Sequence, residues 1–254
     1  MRFGKIGCAP MMKKWTARDY VQYGLVAMWD GIENAGWGVH DANATVWKNL
    51  VGHDYDLYLN TNRSSFENDA LVAVPYPENA SSKSQWGAAS YTSPINFGAR
   101  FSGYEIVFSV DKSTPFDIMS PGGTGEKVTD WGYKRFLCNG QRIQTVTTTS
   151  AESPEGWCFD IPVEYQFKKF SFSWGFLGRN SYRNAFNGQI VDKTSSIKTS
   201  GYYESQYISL FGRYPVTDYG GHGKIYCLRF YSRALTADEI AANYAVDKKR
   251  FNLP

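Results

Sequence analysis

The C-terminal segment constrains the fold of this chain more than any other part of its sequence. From position 225 to 231 apolar and aromatic residues fill nearly every position, which is typical of a strand covered on both faces. Thr236 follows, with Glu239 three residues later, and this spacing predicts the capping box of a helix N-terminus. A strand that leads directly into one short helix predicts that the helix packs its apolar stripe on the sheet.

Alternating residues predict further strands. The segment 170–176 places phenylalanine and tryptophan on one face and serine and glycine on the other, which leaves the second face open to close approach or water. Asn187-Gly188 and Asn139-Gly140 predict tight hairpin turns, because asparagine and glycine accept positive φ angles. Many strands, tight turns and a single closing helix predict an all-β fold, a two-sheet antiparallel jelly-roll sandwich with one short C-terminal helix.

The length and composition favour one large domain. The chain has 254 residues, of which 43% are hydrophobic, and an all-β domain of this size need not divide. Residues 1–19 are basic and have no hydrophobic period, so they are predicted to be an arm or tether that a protein partner binds. Residues 20–254 are predicted to form the sandwich domain.

The charge and the apolar runs exclude several classes of protein. A net charge of +3, with short basic clusters only near the two ends, does not support nucleic-acid binding. No run approaches the roughly 18 apolar residues that span a membrane. The N-terminal stretch is interrupted by glycine and proline, so the sequence predicts no secretion signal.

The four cysteines do not predict a metal site, because none forms a Cys-x-x-Cys pair and no histidine lies at ligand spacing. Cys227 lies in the apolar last strand and is predicted to be a buried thiol. A disulfide between Cys138 and Cys158 stays open, although reduced thiols in a protein made in the cytoplasm are the simpler interpretation.

The C-terminal segment also resembles the ending of the concanavalin A-like, laminin-G-like jelly-roll family. That ending reads roughly G-x-I-x-x-hydrophobic-R-x-Y-x-R-A-L-T/S-x-x-E-I and then N-Y. The residues that match it here are Gly223, Ile225, Arg229, Tyr231, Arg233, Ala234, Leu235, Glu239, Ile240, Asn243 and Tyr244. With weaker likenesses at 24–30, 46–52, 101–108 and 183–189, the resemblance spans roughly 25–251. It implies the jelly-roll fold and is not specific for a ligand.

Catalytic motifs do not stand out in the sequence. Glycoside hydrolysis usually needs two facing carboxylates, and laminarinase-like relatives of this family take them from a Glu-x-Asp-x-Glu strand that this chain lacks. The three histidines lie in glycine- or aspartate-rich loops, and no Gly-x-Ser-x-Gly elbow occurs. We therefore expect that the chain is not an enzyme.

The loop after the first predicted strand is rich in oxygen side chains, namely Asp30, Glu33, Asn34, Asp41 and Asn43. Calcium prefers several oxygen ligands, and many relatives in the family bind calcium at the rim of the sandwich. The same residue types are also common in turns, where they hydrogen-bond their own backbone. The turn interpretation is favoured because the spacing matches no defined calcium loop, and calcium is the one cofactor left open.

Tryptophans on predicted loops are the candidates for sugar binding. Trp37, Trp86 and Trp131 each have polar neighbours, and for Trp37 these are His40 and Asp41. A sugar site needs a flat aromatic face and a few polar groups, but packing over a sandwich edge would explain these tryptophans equally well. The tryptophans in strand-like runs are predicted to lie in the core: Trp29, Trp47 and Trp174.

The resemblance suggests a function by analogy. It implies a non-enzymatic, lectin-like module on the surface of a virion, such as a phage particle, or of a cell, which binds glycans of a host surface or decorates the particle. The alternatives are a purely structural assembly protein and a polysaccharide hydrolase with atypical carboxylates. The virion surface is the expected location and the cytoplasm the alternative. The sequence leaves open whether the chain forms a homo-oligomer.

Overall fold

The computed structural model describes residues 14–52, 54–73, 89–91, 102–111, 116–122, 134–138, 140–147, 155–178, 181–191, 207–211 and 223–254. Sixteen strands, numbered in chain order, lie within these ranges: β1 (Leu25–Asp30), β2 (Val46–Trp47), β3 (Leu57–Leu59), β4 (Ser64–Phe66), β5 (Leu71–Ala73), β6 (Ala89–Tyr91), β7 (Gly103–Val110), β8 (Phe116–Gly122), β9 (Lys134–Cys138), β10 (Arg142–Thr147), β11 (Glu155–Asp160), β12 (Phe170–Gly178), β13 (Ser181–Phe186), β14 (Gln189–Ile190), β15 (Tyr207–Leu210) and β16 (Gly223–Tyr231). Short 3-10 helices span Ala17–Asp19 and Val163–Tyr165, and one α-helix, α1, spans Ala237–Phe251.

The strands form two eight-stranded antiparallel sheets. The first has the order β14-β13-β12-β7-β16-β5-β4, and β1 pairs with the second half of β16 beside β5. The second has the order β11-β10-β9-β8-β15-β6-β3-β2. This architecture confirms the predicted all-β, two-sheet antiparallel sandwich with one C-terminal helix.

Aromatic side chains join the two sheets in the core. Phe136 of the second sheet contacts three rings of the first, with centroid distances of 5.8 Å to Tyr104, 5.3 Å to Phe108 and 5.2 Å to Phe172. Trp29, Trp47 and Trp174 are buried, as predicted. The aromatic richness of the chain therefore fills the space between the sheets, where large rings bury the most apolar area.

Helix α1 covers the outer face of the first sheet. The predicted capping box is present, because Thr236 accepts the N–H of Glu239 at 3.2 Å and Glu239 accepts the N–H of Thr236 at 2.8 Å. The serine face of β12 is closed by this helix rather than open to water. Ser171 is buried and its Oγ donates to Asp247 Oδ2 at 3.0 Å.

The N-terminal segment 14–21 packs against the same helix. Ala17 and Tyr20 are buried in a cluster that contains Val246 and Phe251 of α1. The Val21 N–H donates to Asn243 Oδ1 at 2.8 Å. The described part of the predicted arm thus lies on the sandwich, and the division of the chain at residue 19 stays a prediction.

Cys138 and Cys227 are buried free thiols. The proposed Cys138–Cys158 disulfide does not form, because Cys138 lies on β9 and Cys158 on β11, with β10 between them. Neighbouring strands are about 4.8 Å apart, so two strand spacings exceed the Cα separation of a disulfide. Within the described ranges, no helix has both the length and the apolar composition to cross a membrane.

Candidate functional site

A sharp hairpin presents Trp37 at the surface. Gly36 and Val39 form an isolated antiparallel bridge, and the turn places Gly36 at φ 134° and Gly38 at φ 72°. These positive φ angles favour glycine, and no neighbouring atom lies within 4 Å of a Cβ built on either residue. Trp37 stands between the two glycines with 37% of its surface exposed. We call the surface formed by Arg18, Trp37, Val39, His40 and Asp41 the Trp37 rim.

Glu33 anchors this hairpin from below. Its Oε2 accepts the Gly38 N–H at 2.9 Å, and its Oε1 accepts the Ala17 N–H at 3.0 Å and an Arg250 Nη1–H at 3.0 Å. Burial raises the pKa of Glu33, but the N–H groups of Ala17 and Gly38 and the charge of Arg250 outweigh it, so the pKa lies below its ordinary value. The carboxylate stays ionised and holds the turn in place.

Further hydrogen bonds fix the base of the hairpin. The Asn34 side chain donates to the Asp41 carbonyl at 2.7 Å and accepts the Asp41 N–H at 2.8 Å. The Nδ1 atom of His40 lies 3.1 Å from the Gly31 carbonyl oxygen, to which it can only donate. The rim is therefore a preorganised loop on a rigid support, which lowers the entropy that a bound ligand would cost.

Arg18 covers one face of the exposed tryptophan. Its guanidinium carbon lies 4.9 Å from the centroid of the Trp37 ring, within the range of a cation–π contact. Arg18 is exposed and belongs to the 3-10 helix Ala17–Asp19. This pair could not be inferred from the sequence, because Arg18 lies in the segment predicted to be an arm.

The predicted calcium ligands have other partners. Asp30 is fully buried, its Oδ1 accepts the N–H groups of Ile32 and Glu33, and its Oδ2 lies 2.7 Å from Arg250 Nη2. Burial raises the pKa of Asp30, and Arg250 opposes that effect. Glu33 shares the same arginine. A cation at these two carboxylates would therefore have to displace Arg250.

The other two proposed calcium ligands, Asp41 and Asn43, bond to each other and do not complete a site with Asp30 and Glu33. Asp41 Oδ1 accepts the Asn43 N–H at 2.8 Å, as in an Asx turn. The described part of the chain contains no group of three His, Cys, Asp or Glu side chains placed to hold a metal ion. The residues Asp30, Glu33, Asp41 and Asn43 are thus not brought together as a metal centre.

The structure describes three of the five predicted sugar-binding residues. Trp37, His40 and Asp41 lie on one hairpin at the surface, as a shared site requires. Trp86 and Trp131 lie outside the described residues.

A second cluster of ionisable groups lies beneath α1 and is closed to ligands. Arg229 donates to both oxygens of Asp247, at 2.7 and 2.9 Å, and to Glu105 Oε2 at 3.1 Å. Asn243 Nδ2 donates to the same Glu105 oxygen at 2.6 Å. Burial raises the pKa of Glu105 to about 7, a shift also common among catalytic acids. These four side chains are at most 2% exposed, however, so the cluster docks the helix on the sheet.

Solved structures with a similar fold include several sialidases. Trypanosoma rangeli sialidase aligns with a TM-score of 0.58 at 12% identity, over 89% of this chain and 33% of the sialidase chain. The same enzyme in complex with sialic acid aligns with a TM-score of 0.57 at 13% identity, over 89% of this chain and 33% of that one. This chain thus spans about a third of the sialidase chains it matches.

A phenylalanine-to-alanine mutant of HCR/D is also similar, with a TM-score of 0.61 and 12% identity over 87% of this chain and 51% of that chain. No protein-family model matches the sequence. No curated protein matches it either. At these identities the likeness establishes a shared β-sandwich fold.

The prediction that the chain is not an enzyme was wrong. Sialidases, which are enzymes, are among the solved structures that share its fold. The prediction rested on a missing pair of carboxylates, whereas sialidases use a tyrosine nucleophile and are an exception to the two-carboxylate rule. The absence of a Glu-x-Asp-x-Glu strand therefore does not exclude glycan cleavage.

Proposed function

We propose that this chain recognises glycans at the Trp37 rim. The observation that carries the proposal is an exposed tryptophan held on a turn whose backbone is fixed by Glu33. An aromatic face packs on the C–H face of a sugar ring, and nearby polar groups such as His40 and Asp41 add hydrogen bonds. The likeness to a sialidase solved with sialic acid supports a glycan as the ligand class.

A glycan array tests the proposal directly. The purified protein is applied with calcium and with a chelator, and the strongest hits are titrated with the wild type and with Trp37→Ala. We expect the variant to bind about tenfold more weakly or worse, which corresponds to 1.4 kcal/mol or more. Tyr58→Ala is the matched control, because Tyr58 is an exposed aromatic residue on β3, outside the rim.

Two results would contradict the proposal. An array without any hit in either condition would favour the purely structural alternative. Hits that weaken equally in Trp37→Ala and Tyr58→Ala would show that the rim is not the contact surface.

Hydrolysis of the bound glycan is the second candidate function, and the sialidase likeness favours it. Asp41 supplies an exposed carboxylate in the rim, and His40 precedes it in the chain. Each array hit is incubated with the protein, and released sugar is followed by mass spectrometry. Release by the wild type that is lost in Asp41→Asn, at unchanged glycan affinity, would support cleavage at this surface. No release from any bound glycan would reject it.

The display of this domain on a virion or a cell surface, with residues 1–19 binding a protein partner, stays part of the proposal. Co-purification of the full chain with a larger particle, lost when residues 1–13 are removed, would support it. Light scattering of the purified chain would show whether a homo-oligomer forms.

A further inference from the structure

Arg18 differs from the other arginines whose partners the structure gives. Arg229 and Arg250 are buried against carboxylates, Arg233 pairs with Glu239, and Arg142 pairs with Asp160. The Arg18 guanidinium contacts only the Trp37 ring among the described residues, and the sole hydrogen bond of Arg18 is made by its backbone N–H. Its five N–H donors thus face solvent, with no carboxylate of the described chain to bind.

The arginine and the tryptophan are positioned by one carboxylate. Glu33 Oε1 holds the N–H of Ala17, which precedes Arg18, and Glu33 Oε2 holds the N–H of Gly38, which follows Trp37. A capping box at Thr16 and Asp19 fixes the short helix that carries Arg18. The backbones of the two residues are therefore set relative to each other before any ligand arrives.

Resting on the proposed function, we infer that the Trp37 rim binds a sugar that carries a carboxylate, such as a sialic acid or a uronic acid. The planar guanidinium of Arg18 donates two parallel hydrogen bonds to the carboxylate, and the Trp37 ring contacts the body of the sugar. Asp41 bears a negative charge and already accepts the Asn43 N–H, so the anionic group of the sugar is directed to the Arg18 end of the rim.

The test compares ligands that differ in one charge. Calorimetric titrations use two matched pairs: methyl sialoside with the methyl ester of its carboxyl group, and methyl glucuronide with methyl glucoside. We expect the wild type to bind at least one of the two acids about tenfold more tightly than the neutral sugars. The preference of sialoside over glucuronide, or the reverse, identifies the source of the carboxylate.

Substitutions of Arg18 test whether this residue causes the preference for acidic over neutral sugars. We expect Arg18→Gln to bind the acid and its neutral partner equally, and Arg18→Lys to keep part of the preference, because lysine retains the charge without the planar fork. Arg142→Gln is the matched control, since it removes an exposed arginine of β10. Equal circular dichroism spectra and melting temperatures confirm that each variant is folded.

The outcomes separate this inference from the proposed function. Neutral sugars that bind as tightly as acids, with affinity lost in Trp37→Ala and unchanged in Arg18→Gln, would overturn the inference and leave glycan recognition intact. Binding of no sugar, or binding that Trp37→Ala leaves unchanged, would overturn both.

Discussion

Two arginines are buried on the outer face of the first sheet, and carboxylates surround each of them. The pairs are Arg229 with Asp247 and Glu105, and Arg250 with Asp30 and Glu33. Four carboxylates thus share two buried cations, so protonation of one or more carboxylates relieves the excess of negative charge. The raised pKa values of Glu105 and Asp30 follow from this burial.

Glu105 should make stability depend on pH. Burial raises its pKa to about 7 in the folded state from 4.5, so the folded chain binds a proton that the unfolded chain has released. This contribution to stability is fully present below about pH 4.5 and is lost as the pH rises through about 7. We expect Glu105→Gln, which keeps an acceptor for Arg229 and Asn243, to show a smaller fall in stability between pH 5 and pH 8. Urea unfolding at both pH values measures it, and equal falls in the two proteins would contradict it.

Breaking the pair of Arg229 and Asp247 should destabilise the fold strongly. Asp247→Asn leaves a buried guanidinium without its main counter-ion, which typically costs about 3–5 kcal/mol. Glu67→Gln is the control, because the Glu67–Lys224 pair is solvent-exposed and is expected to contribute about 0–1 kcal/mol. Free energies of unfolding from urea titrations check both values. Similar losses in the two variants would show that the buried pair has no special role.

At the scale of elements, the β13–β14 hairpin and helix α1 fit together through a residue without a side chain. Asn187 and Gly188 form the turn at φ 47° and 75°, as the sequence predicts. A Cβ on Gly188 would lie 2.6 Å from Tyr244 Cδ1 of the helix. Gly188 thus serves the turn and the packing of the helix at the same time.

Comparing two glycine substitutions separates these roles. Gly188→Ala and Gly52→Ala both place alanine at a positive φ, of 75° and 82°, which costs about 1–2 kcal/mol. Nothing lies within 4 Å of a Cβ on Gly52, whereas Gly188→Ala also has to displace Tyr244. We therefore expect Gly188→Ala to lose about 1–3 kcal/mol more than Gly52→Ala in chemical unfolding. Equal losses would mean that Tyr244 moves aside freely.

At the scale of the whole molecule, segments from opposite ends of the chain form one unit. The Arg250 guanidinium donates to the Trp15 carbonyl at 3.3 Å, and Val21 donates to Asn243 at 2.8 Å. These contacts join positions more than 200 residues apart. The Trp37 rim depends on them, because Arg250 and Ala17 both bind Glu33.

Hydrogen exchange tests whether the segment 14–21 is held on the C-terminal helix in this way. We expect the amides of Ala17 and Val21 to exchange as slowly as those of the core strand β16, since their N–H groups bind side chains held by the helix. The amide of Arg18, which is exposed, should exchange within seconds and serves as the internal control. Fast exchange at Ala17 and Val21 would show that 14–21 behaves as a loose arm, as the sequence predicted for 1–19.

The features that the sequence alone predicted are those that arise between near neighbours in the chain. The capping box of Thr236 and Glu239 spans three residues, the Asn187-Gly188 turn spans two, and the alternation in 170–176 repeats every second residue. Each is set by backbone geometry and by the chemistry of adjacent side chains. Strands such as β12 and β16, the closing helix and the sandwich class could therefore be inferred without coordinates.

The roles of the polar residues were decided only by the tertiary structure. The sequence favoured a turn over calcium for Asp30 and Glu33, and Arg250, more than 200 residues away, made them ion-pair partners. Arg18 and Trp37 meet because Glu33 holds the residue next to each. A carboxylate or a guanidinium binds whichever partner the fold brings within about 3 Å, and sequence spacing does not encode that distance. The sequence by itself therefore determined the sandwich and its closing helix, while the packing of distant segments decided which surface could act.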